Sequence, residues 1–147
     1  MNNFRQLSQT MFASPQIHPG DIAAAKELGI NLVINNRPDG ESPDEPQGAD
    51  IEAAALAAGM SYLAIPISHS GFSEPQVEKM QQALAENSGG VLAYCRSGTR
   101  STLLWALAQA RSGSNPEELV ESAQAAGYDL SPVRPAMDMF ASQADQS

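Results

Sequence analysis

The sequence predicts an α/β fold: a mainly parallel central sheet with helices on both faces. Three observations point there. Short apolar runs suited to buried strands alternate with segments of helical period, Gly, Pro and capping residues punctuate the changes between them, and the 147 residues are about one ordinary domain. Parallel neighbours need crossover connections, which the intervening helices supply.

Residues 11–13 read as a short first strand, followed by a helix from about 19 to 28, with Pro19 in its first turn and Gly29 at its stop. Residues 30–34 (INLVI) read as a buried strand. The stretch 35–48, NNRPDGESPDEPQG, keeps neither helix nor strand pattern and is expected to be a long loop from that strand's C-terminal end. The Ala-rich residues 49–58 read as a helix stopping at Gly59, and 61–67 as the next strand. Ser73 and Gln76 match a capping box, and Val77, Met80 and Leu84 recur at helical spacing up to Gly89 and Gly90. Residues 91–94 form a short apolar strand. Leu103, Leu104, Trp105 and Leu107 make 101–111 a central, buried helix. Residues 116–126 read as a further helix, with Asn115 as N-cap and Glu118 as its reciprocal partner. The final SQADQS reads as a frayed polar tail from about 142, and a single domain is expected over 1–147.

A formal charge of −9 and a pI near 4.5 argue against nucleic acid or an anionic membrane as partner, since both require a basic face. No apolar segment approaches the roughly 20 residues that span a bilayer. The N-terminus lacks a basic stretch followed by an apolar run of signal-peptide length, and one cysteine forms no internal disulfide, so a cytoplasmic setting is expected. Two histidines and one cysteine are poor material for a closed zinc site, and no cofactor is expected.

Of only 8 Lys and Arg residues, Arg96 and Arg100 stand within five positions of Cys95, the sole cysteine. The string VLAYCRSGTRSTLLWAL places that thiol after a strand and before a helix. A thiol is a good nucleophile only as the thiolate, a form favoured by helix N-terminal amides and nearby guanidinium groups. Amides of a tight loop at such a terminus also cradle tetrahedral anions, and Gly98 permits backbone angles that other residues resist. Cys95 is therefore the candidate nucleophile and Arg100 the bidentate anion clamp. Arg96 either contacts the anion or steers it from solvent. Ser97 and Thr99 bond the sulfur or cap the helix, and Ser101 is expected to cap it. Arg37 begins its loop on the same rim and joins the anion-binding set. The bland alternative, Cys95 as a small buried hydrophobe, is weakened by the arginines and hydroxyls beside it.

With FASPQIHPGDI, INNRPDGE, EPQG, AAGMSYLAIPI and AYCRSGTRSTLLWALAQA in place, nearly the whole chain resembles the phosphatase-like domain family of bacterial beta-lactamase hydrolase-like proteins. The resemblance implies the fold of dual-specificity protein phosphatases, a cysteine-phosphatase-like architecture. Members of that family are described both as phosphatases and as rhodanese-like sulfur transferases, and some are fused to a metallo-hydrolase domain of the persulfide dioxygenase type, an expected partner.

Typical tyrosine phosphatase loops have five residues between Cys and Arg, whereas four separate Cys95 from Arg100, the rhodanese-like spacing. Tyr94 stands where phosphatases of this fold carry His. Their general-acid Asp would fall near Ile65, Pro66, Ile67, Ser68 and His69, where none occurs. Cleaving a phosphate ester calls for a proton on the leaving oxygen, whereas expelling sulfite from thiosulfate needs little such help. The residues thus favour a sulfurtransferase passing through a Cys95 persulfide, with thiosulfate or a small persulfide as donor. The alternative is a tyrosine or dual-specificity phosphatase passing through a phosphocysteine, with Asp39 or His69, and less directly Glu41 or Asp44, as substitute acid. A third reading is a non-catalytic anion-binding module. The substrate class is accordingly a small sulfur-containing or phosphorylated anion.

Overall fold

Every residue of Gly90–Tyr94 is buried, and this run of small and β-favouring side chains forms the middle of the sheet. The computed structural model describes residues 4–38, 48–68 and 71–145. In chain order the elements are β1 (Arg5–Gln6), β2 (Met11–Ser14), α1 (Ile22–Glu27), β3 (Ile30–Asn35), α2 (Gly48–Ala57), β4 (Ser61–Ala64), α3 (Glu74–Glu86), β5 (Gly90–Tyr94), α4 (Thr99–Arg111), α5 (Pro116–Ala125) and α6 (Arg134–Asp145). The sheet runs β1-β2-β5-β3-β4, parallel throughout except for the β1–β2 pair.

Alternation along the strands divides the core in two. Met11, Ala13, Leu32, Ile34, Val91 and Ala93 face α3 to α6. Ile30, Val33, Leu92 and Tyr94 face α1 and α2. Ile30 and Val33 share a face despite their odd spacing because the β3–β5 register slips between Ile30 and Leu32, leaving Asn31 exposed as the extra residue. Helix α4 is buried over most of its length, from Ser101 to Ala110, and carries the larger core.

The expected α/β architecture is thus present, with local corrections. The segment expected as one helix from 19 to 28 opens as a 3-10 turn, Pro19–Asp21, before α1 begins at Ile22. The strand expected over 61–67 ends as β4 at Ala64, before Pro66, which has no N–H to give a ladder. Even so, Ile65 N–H reaches the Asn35 carbonyl at 2.9 Å and Ile67 N–H the Asn36 carbonyl at 3.0 Å. The Ser73–Gln76 capping box forms in both directions. At α5, Asn115 accepts from the Glu117 N–H at 2.8 Å, and the reciprocal bond from Glu118 is not made. Strand β1 and helix α6 went unanticipated, and α6 continues through residues 142–145, where a frayed tail was expected. Among the described residues no helix is long and apolar enough to cross a membrane.

Two substitutions probe this core. Leu104 is fully buried on α4, so Leu104→Ala should lower the unfolding free energy by about 2–5 kcal/mol. Ser73→Ala, which removes a helix cap, should cost about 1 kcal/mol. Urea denaturation with an unchanged slope checks both.

Candidate active site

Strand β5 ends at Tyr94 between two parallel neighbours, and its backbone continues to be held beyond that point. The Tyr94 carbonyl accepts from Asn36 N–H at 2.8 Å, and Cys95 N–H reaches the Ser14 carbonyl at 3.3 Å. Cys95 is therefore placed by both flanking strands, fully buried at the sheet's C-terminal rim.

The chain passes from β5, which ends at Tyr94, to α4, which starts at Thr99, through four residues. Gly98, at φ +90°, occupies the N-cap of α4, a left-handed conformation that suits glycine. Its N–H points back at Cys95 Sγ, 3.1 Å away. Its carbonyl is held in turn by the N–H and hydroxyl of Thr102, at 3.0 and 2.9 Å. A Cβ on Gly98 would collide with the Tyr128 hydroxyl and come within 3.2 Å of the Ser14 carbonyl carbon.

Gly98 starts α4 at Thr99, so Ser101 does not cap the helix as expected. It is the third helical residue, fully buried, and its hydroxyl has no hydrogen-bond partner among the described residues. The Ser97 hydroxyl donates to Thr99 Oγ1 at 3.0 Å and accepts from the Thr99 N–H at 3.4 Å. These two hydroxyls thus line the mouth of the helix and leave the sulfur to Gly98. Arg96 is exposed, and its carbonyl accepts from Gln16 N–H at 3.3 Å.

Arg100 stands in the first turn of α4 and sends Nη1 to the Ile67 carbonyl at 2.6 Å. That bond ties the helix to the segment following β4. A guanidinium carries five N–H donors in a planar fork. Arg37 is buried, and its Nη1 meets Gln16 Oε1 at 2.7 Å. Gln16 therefore links Arg37 to the cysteine loop through the Arg96 carbonyl. Asp39, Glu41, Asp44 and His69, the candidate acids, lie outside the described residues.

In a chain of net charge −9, the first turn of α4 contains no carboxylate. The positive end of the helix dipole therefore lies beside the cysteine with no carboxylate in the first turn of α4 to offset it. The arrangement sets a thiol beside a helix N-terminus and two arginines, groups of the kind that Cys-based group transfer uses.

Two contributors escaped the sequence reading, Gln16 and Tyr128. The Tyr128 hydroxyl donates to the Ser97 carbonyl at 3.2 Å. Burial raises the Tyr128 phenol above its ordinary value; Arg5 opposes that rise and the nearby Cys95 adds to it. No local pattern marks either residue, because each meets the loop only across the fold.

Comparison with known proteins identifies the family and the fold. A family model described as beta-lactamase hydrolase-like protein, phosphatase-like domain, matches residues 3–112. The Beta-lactamase hydrolase-like protein of Xylella fastidiosa is 38% identical over 125 residues, covering 84% of this chain and 29% of that protein. Its counterpart in Agrobacterium fabrum is 36% identical over 122 residues, 82% of this chain and 28% of the relative. The chain thus spans under a third of the length of the curated relatives it matches. A crystal structure of a phosphatase candidate from Neisseria meningitidis superposes with a TM-score of 0.82 at 33% identity, covering 95% of this chain and 99% of that one. P. aeruginosa TpbA in complex with pTyr gives 0.68 at 20% identity, over 99% and 91% of the two chains, a likeness of fold.

Gly98→Ala should reduce turnover about tenfold or more, since a Cβ costs roughly 1–2 kcal/mol in the left-handed region and also displaces the Tyr128 hydroxyl. Steady-state kinetics within twofold of the parent would show that the Gly98 N–H is dispensable. The raised Tyr128 phenol has its own signature. Stability from this group is fully present below the ordinary tyrosine value and is lost as pH rises through the folded one. The difference in unfolding free energy between the parent and Tyr128→Phe should therefore shrink as pH climbs from about 9 to about 12, measured by denaturant titration.

Proposed function

This chain belongs to the phosphatase-like domain family of beta-lactamase hydrolase-like proteins, and from that premise we propose that it is a cysteine-dependent phosphatase acting on a small phosphorylated anion. The observation that carries the reading is the buried Cys95 sulfur under the Gly98 N–H, at the N-terminus of a helix whose first turn holds Arg100. In the first step Cys95 sulfur bonds to phosphorus as the ester oxygen leaves and takes up a proton. In the second, water attacks phosphorus, the P–S bond breaks and phosphate departs. Loop amides and Arg100 hold the equatorial oxygens throughout, and the exposed Arg96 draws the anion in. Arg37 is assigned to the rim through Gln16. The proposal includes a cytoplasmic setting, where a lone thiol nucleophile stays reduced.

Sulfur transfer is the second reading, favoured by one specific observation: four residues between Cys95 and Arg100 in place of five. The same cradle would hold the sulfite that leaves thiosulfate as Cys95 takes its outer sulfur, an acceptor thiol or cyanide would then remove that sulfur, and a metallo-hydrolase of the persulfide dioxygenase type would be a fitting partner. Family and fold neighbours named as phosphatases or phosphatase-like weigh more than loop length, because spacing is one feature and the match extends over most of the chain.

Intact mass separates the two. After brief exposure to an aryl phosphate and rapid quenching, the parent should gain one phosphoryl group and Cys95→Ser none. Gain of one sulfur from thiosulfate, with no ester hydrolysis, would overturn the phosphatase reading. Asp39→Asn and His69→Asn identify the acid: the rate should fall about 10²–10⁴-fold and the alkaline limb of the pH profile disappear in the variant that lacks it. Unchanged profiles in both would remove them as acids.

A further inference from the structure

We infer that Tyr128 is a positioning residue for Cys95, its hydroxyl orienting the peptide unit whose N–H meets the sulfur. That unit joins Ser97 to Gly98. Its carbonyl accepts from Tyr128 at 3.2 Å, while its N–H donates to Cys95 Sγ at 3.1 Å. The carbonyl and N–H of a trans peptide point in opposite directions from one rigid plane, so fixing either fixes the other. Gly98 has no Cβ and accepts φ of either sign. With the carbonyl released, the plane can rotate and bring an oxygen toward the sulfur, replacing attraction to a thiolate by repulsion.

Tyr128 is itself anchored from several directions. Its N–H reaches the Ala123 carbonyl at 2.8 Å, at the end of α5. The Arg5 guanidinium lies 5.7 Å from its ring centroid and bonds the Ala126 carbonyl at 2.9 Å. Edge strand β1, which contributes little to either core, thereby clamps the α5–α6 connection against the cysteine loop. A phenol is protonated at neutral pH and burial raises this one further, so it acts as a donor to the carbonyl over the whole neutral range. Tyr128 also lies beyond residues 3–112, the span matched by the family model.

The inference rests on Cys95 as the nucleophile, and it holds for phosphoryl and sulfur transfer alike. Its test therefore reads the thiol without a substrate. The rate of Cys95 alkylation by iodoacetamide, followed by intact mass across pH, should have its midpoint shifted upward by about half to one unit in Tyr128→Phe, and kcat on an aryl phosphate should fall about three- to tenfold. Arg5→Met, which keeps the hydroxyl but removes the clamp, should shift the midpoint the same way by less. A Tyr128→Phe protein with parental melting temperature and an alkylation profile and turnover within twofold of the parent overturns the inference. Should Tyr128→Phe fail to fold, an unshifted profile in Arg5→Met overturns it instead. A parent inactive on every phosphate ester, with the alkylation shift still present, refutes the phosphatase reading alone.

Discussion

One constraint organises the site: the chain must turn from the central strand into the central helix without letting its backbone block the cysteine. The left-handed Gly98 completes that turn, with its N–H on Cys95 Sγ and its carbonyl capped by Thr102. Most of the remaining architecture can be traced outward from that turn. Strand β5 is fully buried, with β2 and β3 paired along its two edges and helices packed on both faces of the sheet. Helix α4 is buried because the sheet face and three further helices close over it. The turn between them has little room to relax, as the close approach of Tyr128 and Ser14 to Gly98 demonstrates.

Support for the loop comes from four separate places. Ser14 at the end of β2 holds the Cys95 N–H, and Gln16 just beyond it holds the Arg96 carbonyl. Arg100 braces the loop against Ile67, past the end of β4, and Tyr128 braces it from the α5–α6 connection. These are charged or polar groups reaching backbone carbonyls and amides, a form of support that fixes direction as well as distance. A reactive group held in this way needs little reorganisation when charge develops on a bound anion.

The β3–β5 register slip plays a quieter part. By absorbing Asn31 as an extra residue, β3 keeps apolar side chains on both faces and still ends level with β5, so that Asn35 lies opposite Tyr94. Asn36 and Arg37 then emerge at the height of Cys95. Asn36 spans from β5 to the Ile65 carbonyl, and Arg37 crosses to Gln16. The rim is thus stitched from β4 across to β2 by side chains that follow the last ladder bonds.

The sequence by itself determined the fold class, the order of most elements and the cysteine loop. Each rests on local signals: apolar runs for strands, the Ser73–Gln76 box, Gly29 and Gly59 as helix stops, and Cys95 to Arg100 as one contiguous string. Strand β1 was not legible because two exposed residues carry no pattern and become a strand only through pairing with β2. The start of α4 at Thr99, ahead of the expected 101, was not legible either, since it depended on Gly98 adopting a left-handed angle. Loop spacing favoured sulfur transfer, and the fold's relatives shifted the balance toward phosphate, because a motif fixes a nucleophile while its surroundings fix what is delivered to it. Only the tertiary structure decided that Gln16 and Tyr128 hold the loop. Contacts between residues distant in the chain leave no periodicity behind, and they exist only once the sheet has brought its C-terminal ends to a common rim.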